Sequence, residues 1–540
     1  MPKLHGKNKT NISRLIDENI AIVEERFGKS VDLTKREFEF QDNKKIRAVC
    51  FFLDGLVNSN EINAVIKSLM YKAELILDEP GSVSIVDAIK SSVLINKSIK
   101  VTDLIDPMID AILAGDTVFF IDGSDACLLV SSREWASRSV EEPQVEQVVR
   151  GPRDGFTESI RTNTALVRRR IRDPNLMFEA MTVGKKSKTD INIAYLQETV
   201  KEGLVEEVKK RISRIKIDAI LESSYIEELI EDAPFSPFTT VQSTERPDKV
   251  ASSLLEGRVA IFVDNTPFVL VVPTYFWQFM QASDDYYSRF LAGSFNRVIR
   301  YVAFIISLTL PSMYVMLVSF HQEMIPTSLA LTIASGRDVN PFPVLIEALI
   351  MEIAFELMRE AGVRMPKPVG QAVSIVGSLV IGQAAVQAGV VSPFMVIIVA
   401  LTGISSFAIP NYAASFSIRL IRFVLLIASG TMGLLGFATA FAFLAIHAMS
   451  LRSFGESYLA PATPFKPSDQ KDFIFRAPLW TMDEQPDLAE GKENRLAEDQ
   501  LPKPNKKESK SKESRQTFGN GLVKIRRKAS KSRRHDQDEE

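Results

Sequence analysis

The sequence predicts an α/β soluble N-terminal half of two related subdomains, then an α-helical transmembrane bundle of four to five helices, then a disordered basic C-terminal tail. Three observations carry this. Residues 368–418 contain no Asp, Glu, Lys or Arg, and two further uncharged runs, 301–322 and 423–451, flank them. A transmembrane helix needs about 20 apolar residues, so the central run is long enough for two. Outside about 290–452 the chain is rich in charge, and two segments of its front half repeat. Whole-chain averages hide this layout: over 540 residues the mean hydropathy is +0.04 and the net charge −2.

The N-terminal extension, 1–34, contains an amphipathic helix at 11–27. Residues 1–10 are polar and lack the apolar core of a signal peptide, so the soluble half is expected in the cytosol. GDTVFFIDGSDACLLV (115–130) then aligns without a gap on GRVAIFVDNTPFVLVV (257–272). Phe120 falls on Phe262, Asp122 on Asp264 and Leu128 on Leu270. Each segment reads as two strands around a turn, and Asp122-Gly123 is a hairpin signal because Gly accepts positive φ. Upstream, IRAVCFFLDGLV (46–57) and DINIAYLQETV (190–200) are apolar strands, each followed by an amphipathic helix near 60–71 and 202–213. Two related subdomains follow, 35–150 and 175–285. Cys50 and Cys127 lie in apolar strand-like runs and read as buried free thiols.

Between the subdomains lies a connecting segment, 151–174, within an arginine-rich stretch that carries Arg150, Arg153, Arg161, Arg168, Arg169 and Arg170. It reads either as a solvated helix paired with neighbouring carboxylates or as a contact for anionic headgroups or a partner's acidic face. Nucleic acid is disfavoured, because stacking aromatics are absent beside these arginines. No catalytic constellation is visible. The histidines, His5, His321, His447 and His535, are not at metal-ligand spacing, and no Walker or dinucleotide glycine loop occurs. No metal, cofactor or enzymatic activity is expected.

The transmembrane bundle is placed at 286–452. Its first span, about 298–320, contains Pro311, which predicts a bend near Ser307. The segment 341–360 holds Glu347, Glu352 and Glu356, and each carboxylate costs at least ~2.5 kcal/mol at the bilayer centre. It is an interfacial helix, a re-entrant segment, or a helix facing water in an assembly. In the run 369–391, Ser374, Ser378, Gly382, Ala385 and Gly389 share one face and suit close helix packing. Val373, Val376, Val380, Gln383 and Gln387 lie roughly opposite, and read as a pore lining or as a buried face whose glutamines bond to neighbours. Spans at about 393–410 and 423–449 follow, the last with Gly430, Gly433 and Gly436, and with Arg419 and Arg422 at its entrance. The polar segment 453–540 ends in the basic tail, where 501–534 holds 13 Lys/Arg against Glu508 and Glu513 and suggests the cytosol. An even number of crossings follows. Four fit if 341–360 does not span, but five nearby basic residues then lie outside, so the sequence does not decide.

Two long segments resemble a known family. EPQVEQVVRGPRDGFTESIRTNTALVRRRIRDP and PFPVLIEALIMEIAFELMREAGVRMPKPVGQAVSIVGSLVIGQAAVQAGVVSP look like the characteristic soluble and membrane segments of the A subunits of spore nutrient germinant receptors, the GerA family. The resemblance covers about 35–480. It implies a multi-pass protein of the inner spore membrane, working with a transporter-like B subunit that binds the nutrient and a lipoprotein C subunit. It further implies a homo-oligomeric ring forming a nutrient-gated ion channel, with cation release opening germination. A non-conducting scaffold that relays the signal is the alternative.

Overall fold

The computed structural model describes residues 11–40, 46–72, 99–134, 141–143, 146–365, 382–466, 469–482 and 484–489. The basic tail, with its expected disorder, lies outside them.

The soluble half repeats one plan. The first copy runs α1 (Ile16–Phe27), β1 (Leu33–Phe40), β2 (Ile46–Leu53), α2 (Ser59–Lys72), β3 (Ile99–Thr102), α3 (Ile105–Leu113), β4 (Thr117–Ile121) and β5 (Cys127–Val130). The second runs α4 (Ile160–Arg168), β6 (Leu176–Val183), β7 (Thr189–Leu196), α5 (Leu204–Ser213), α6 (Ser223–Ile230), β8 (Gln242–Thr244), α7 (Pro247–Leu255), β9 (Val259–Val263) and β10 (Val269–Val272). Each copy folds one five-stranded antiparallel sheet, ordered β1-β2-β4-β5-β3 and β6-β7-β9-β10-β8. Side chains alternate across a strand. β2 therefore sends Val49, Phe51 and Leu53 into a core with α1 and α3, and Ala48, Cys50 and Phe52 into another with α2. Cover on both faces is why this strand reads as an unbroken apolar run.

The repeat extends to single hydrogen bonds. Asn19 accepts from the Ser13 N–H at 2.9 Å and donates to its carbonyl at 2.6 Å; Asn163 does the same with Thr157 at 2.7 and 2.6 Å. The Ile16 N–H donates to Asp122 at 3.3 Å, and the Ile160 N–H to Asp264 at 3.2 Å. Each copy thus opens with a helix docked on its own β-hairpin. In the second copy that helix is α4, inside the stretch the sequence reading sets apart as a connector. Its packing explains the difference: Ala165 enters the first copy's core, while Leu166 and Val167 enter the second's.

A single turn at Asp284–Tyr287 leads into the helical half: α8 (Phe290–Phe320), α9 (Thr327–Ser335), α10 (Val344–Arg364), α11 (Pro393–Phe407) and α12 (Tyr412–Ser450). Among the described residues α8 and α12 are long and apolar enough to cross a membrane; α11 is apolar but shorter. α8 runs through Pro311 as one helix.

α12 reverses on itself. An unbroken helix of its 39 residues would be about 58 Å long. Instead Gly433 adopts φ 61 and ψ −138, and a Cβ on Gly436 would run into the carbonyl oxygen of Ala428. Those two residues would stand about 12 Å apart along an unbroken helix. Leu434 donates its N–H to His321 Nε2 at 3.1 Å, beside the far end of α8. Both outer ends return to the soluble half: His447 lies 2.9 Å from Ser236, and Ala414, Ile418, Leu451 and Tyr458 share a buried cluster with Phe276 and Phe279. The arms 412–432 and 434–450 form a helical hairpin where the sequence reading placed one span. Glycine alone tolerates this φ at little cost.

Candidate functional site

The arginine-rich stretch fastens the soluble half together. Arg168 is 1% exposed and reaches across the seam between the two copies. Its Nε and Nη2 donate to the two carboxylate oxygens of Asp32 at 2.8 and 3.0 Å, and it also donates to the carbonyls of Asp173 and Leu176 at 2.9 and 2.7 Å. Such a fork matches a carboxylate in both geometry and charge. Arg170 pairs with Asp154 at 2.6 Å, and Arg161 with Asp54 of the first copy. Arg169 is half-buried, Arg150 is exposed, and Arg153 is 71% exposed and 4.0 Å from Glu142. Arg161, Arg168 and Arg170 are thus occupied by carboxylates of their own chain.

The same stretch touches the entry to the helical half. The N–H groups of Val149 and Arg150 both donate to Asp284 at 3.2 Å, and Gly151 lies against the Tyr287 ring, where a Cβ would come within 2.6 Å. Tyr287 in turn donates to Asp248, and burial together with that carboxylate pushes its phenol above the ordinary range. Arg246 binds Asp248 at 2.9 Å and the Pro152 carbonyl at 3.0 Å. Beneath this, Asp285 is 1% exposed and holds Arg300 at 2.9 Å and Arg297 at 3.3 Å on the first turns of α8. Arg297 continues to Asp472 at 2.8 Å, and Arg476 donates to the Asp285 carbonyl at 2.7 Å. These contacts make a continuous polar network from the soluble half into the start of α8.

Of the three carboxylates of α10, Glu347 and Glu352 lie inside the bundle and Glu356 is part-exposed at its edge. Glu347, fully buried, pairs with Arg337 at 3.1 Å and accepts the Ser392 N–H at 3.2 Å. Glu352, 1% exposed, lies 2.7 Å from Arg422. That pair is off the hydrogen-bond axis, so both Glu352 oxygens lack a donor among the described residues. Glu356 takes Arg419 at 2.7 Å and Arg422 at 3.2 Å. A buried charge is tolerated when paired. The acids that make α10 a poor lipid-facing span in the sequence are matched by arginines from α12 and from the Arg337 loop.

Of the expected pore face, Val373, Val376 and Val380 lie outside the described residues, as do Ser374 and Ser378 of the packing face. Residues 382–387 are helical, with Gln383 and Gln387 exposed. Gly382 is buried near Val396, Ala385 is half-buried, and Gly389, with φ +64, sits on the Val339 carbonyl. Among the described residues no group of three or more His, Cys, Asp or Glu could hold a metal ion.

Residues 21–488 match the family described as Bacillus/Clostridium GerA spore germination protein. The chain belongs to this GerA family. Spore germination protein KA of Bacillus subtilis (strain 168) is 45% identical over 494 residues, 91% of this chain and 90% of the relative. Spore germination protein B1 of the same organism is 39% identical over 479 residues, 89% of this chain and 98% of the relative. The crystal structure of the N-terminal domain of the A subunit of the Bacillus megaterium spore germinant receptor GerK3 is 34% identical, covers 50% of this chain and 99% of that one, and has a TM-score of 0.41.

The junction of this GerA-family chain is only faintly marked in its sequence. A signal was present: Arg297 and Arg300, at i and i+3, stand at the edge of the uncharged run. Their partners Asp285 and Asp472 are far apart in sequence, and only the fold brings them together.

Proposed function

We propose that the chain is the A subunit of a nutrient germinant receptor in the inner spore membrane, and that copies assemble into a ring around a nutrient-gated cation path. One observation carries this reading. In 382–389 the glycines turn into the bundle while Gln383 and Gln387 face outward, in a stretch flanked by uncharged residues on both sides. Polar amides directed out of an apolar bundle need water or a partner. A ring that places these faces inward supplies a water-filled path, with the Val373, Val376 and Val380 face as its apolar gate. The soluble half and Leu451 lie on one side, which is the cytosolic side in this reading, and the number of passes is even. The B and C subunits would supply nutrient binding and a lipid anchor.

The test is cysteine accessibility along 369–391 in membranes, after replacement of Cys50 and Cys127, with and without B and C subunits. Modification at Val376, Val380, Gln383 and Gln387, but not at Ser378 or Gly382, supports the pore. A helix unmodified throughout favours the non-conducting scaffold.

A further inference from the structure

Arg359 in α10 makes no ion pair among the described residues, and its one side-chain hydrogen bond there goes to a hydroxyl. Beside it, Glu352 and Glu356 face Arg419 and Arg422 at 2.7–3.2 Å. With Arg359 the set holds three arginines against two carboxylates among the described residues. Arg359 donates to Ser406 Oγ at 2.6 Å, and its Nε is buried with no partner among the described residues. Its guanidinium lies 5.0 Å from the Phe355 ring and 4.6 Å from the Phe407 ring, two neighbouring rings whose centroids are 6.5 Å apart. These ring contacts hold the cation in place without neutralising it, which leaves it able to take an oxyanion.

Two cavities meet at this residue. One, of about 410 Å³, opens between the soluble half and the bundle, with Gln147 and Ser283 on one wall and Ile409 and Pro410 on the other. Lys249 in the same wall is already paired with Glu146 at 2.7 Å. The second, of about 300 Å³, is a groove on the outside of the bundle with an apolar wall of Ile353, Leu357, Phe416 and Phe423, and with Glu356, Glu360 and Arg419 also in its lining. Arg359 and Tyr412 line both. Arg359 also lies about 8 Å along α10 from its end at Arg364, near enough to that end for a long cationic side chain to reach a headgroup. A polar chamber, a cation at its mouth and a groove with an apolar wall leading away match a phosphodiester with its acyl chain.

We propose that this double cavity binds one anionic phospholipid, its phosphate on Arg359 and an acyl chain along Leu357 and Phe416. The proposal rests on the reading of these helices as membrane-spanning, and is independent of whether the protein conducts ions. Inorganic phosphate shares the headgroup chemistry; the groove is the reason to assign a lipid.

The experiment is native mass spectrometry of the full chain in detergent, titrated with phosphatidylglycerol or phosphatidylcholine. The expected result is retention of one phosphatidylglycerol, at least tenfold tighter than phosphatidylcholine. Arg359→Gln should weaken it about tenfold, whereas Arg364→Gln, an exposed residue paired with Glu360, should not. Leu357→Trp, at a position 66% exposed, should fill the groove without disturbing the fold and give a similar loss. Equal binding by wild type, Arg359→Gln and Leu357→Trp overturns the site. So does an equal loss from Arg364→Gln, or competition by glycerol phosphate as effective as by the lipid. Cation flux from liposomes reconstituted with the same protein variants separates failure of the channel reading from failure of this one.

Discussion

Removal of the Arg168 guanidinium should open the seam between the two soluble copies. Arg168→Met keeps most of the stem and deletes the fork. Asp32, whose side chain is 9% exposed, is then left buried without its partner, and the Leu176 and Asp173 carbonyls lose a donor each. Breaking a buried pair from one side costs about 3–5 kcal/mol. At about 1.4 kcal/mol per decade, local opening should rise by roughly 10²- to 4 × 10³-fold. Two amides report on the seam: the Phe178 N–H donates to Ser30 Oγ at 3.1 Å, and the Val31 N–H to the Phe178 carbonyl at 2.9 Å. Hydrogen exchange of the full chain in detergent, read by mass spectrometry over peptides holding Val31 and Phe178, measures the change. Arg168→Lys, which keeps the charge but not the fork, should fall between wild type and Arg168→Met. Arg153→Met, at a position 71% exposed, should leave exchange unchanged. Arg168→Met combined with Asp32→Asn should cost less than the two changes added. Exchange in Arg168→Met within threefold of wild type at both amides would refute the argument.

Four further outcomes are expected. Gly433→Ala forces a side chain into φ 61, about 1–3 kcal/mol, and brings a Cβ to 2.9 Å from the Phe320 ring; its thermal midpoint in detergent should drop, and an unchanged midpoint would contradict the hairpin reversal. Arg422→Met strands Glu352 and should lose about 3–5 kcal/mol, most of it recovered in the double variant with Glu352→Gln; absence of recovery in thermal unfolding would argue against the pairing. Burial, with Glu231 and Glu222 nearby, pushes the Glu227 carboxyl from 4.5 up to about 7. The folded state then holds more protons than the unfolded state between those values, so this residue's contribution turns unfavourable as pH rises through the window. Glu227→Gln should therefore be more stable than wild type at pH 8 and indistinguishable at pH 4.5, as a pair of melting curves would reveal. Burial pushes the Cys50 and Cys127 thiols up to about 12; neither should react with maleimide at pH 8 until the protein is denatured, and rapid labelling of the folded chain would contradict their burial.

The soluble elements were legible wherever one local pattern was enough. β2, α2, the β4–β5 hairpin and their counterparts in the second copy carry strong period-two or amphipathic signals, and they fall close to where those signals place them. β1 was missed because, as an edge strand of sequence LTKREFEF, it is half polar. α4 was missed as part of a copy because its apolar residues are few and divided between two cores. At the candidate site, composition marked Arg168, Glu352 and Arg422 as notable, but their partners lie outside any local window: Asp32 is 136 residues from Arg168.

By itself the sequence determined the division of the chain into a charged, repeated front half and an apolar back half. Hydrophobic run length and alternation are local properties of the covalent chain, and neither depends on what packs against what. The tertiary structure alone decided what the isolated charges do. Whether a glutamate in an apolar helix faces lipid, water or an arginine depends on which helix lies beside it, and α12 brings Arg419 and Arg422 to α10 only because the two pack together. The reversal at Gly433 belongs to the same class. A glycine permits positive φ anywhere, but contacts with Phe320 and His321 at the far end of α8 are where this one is used.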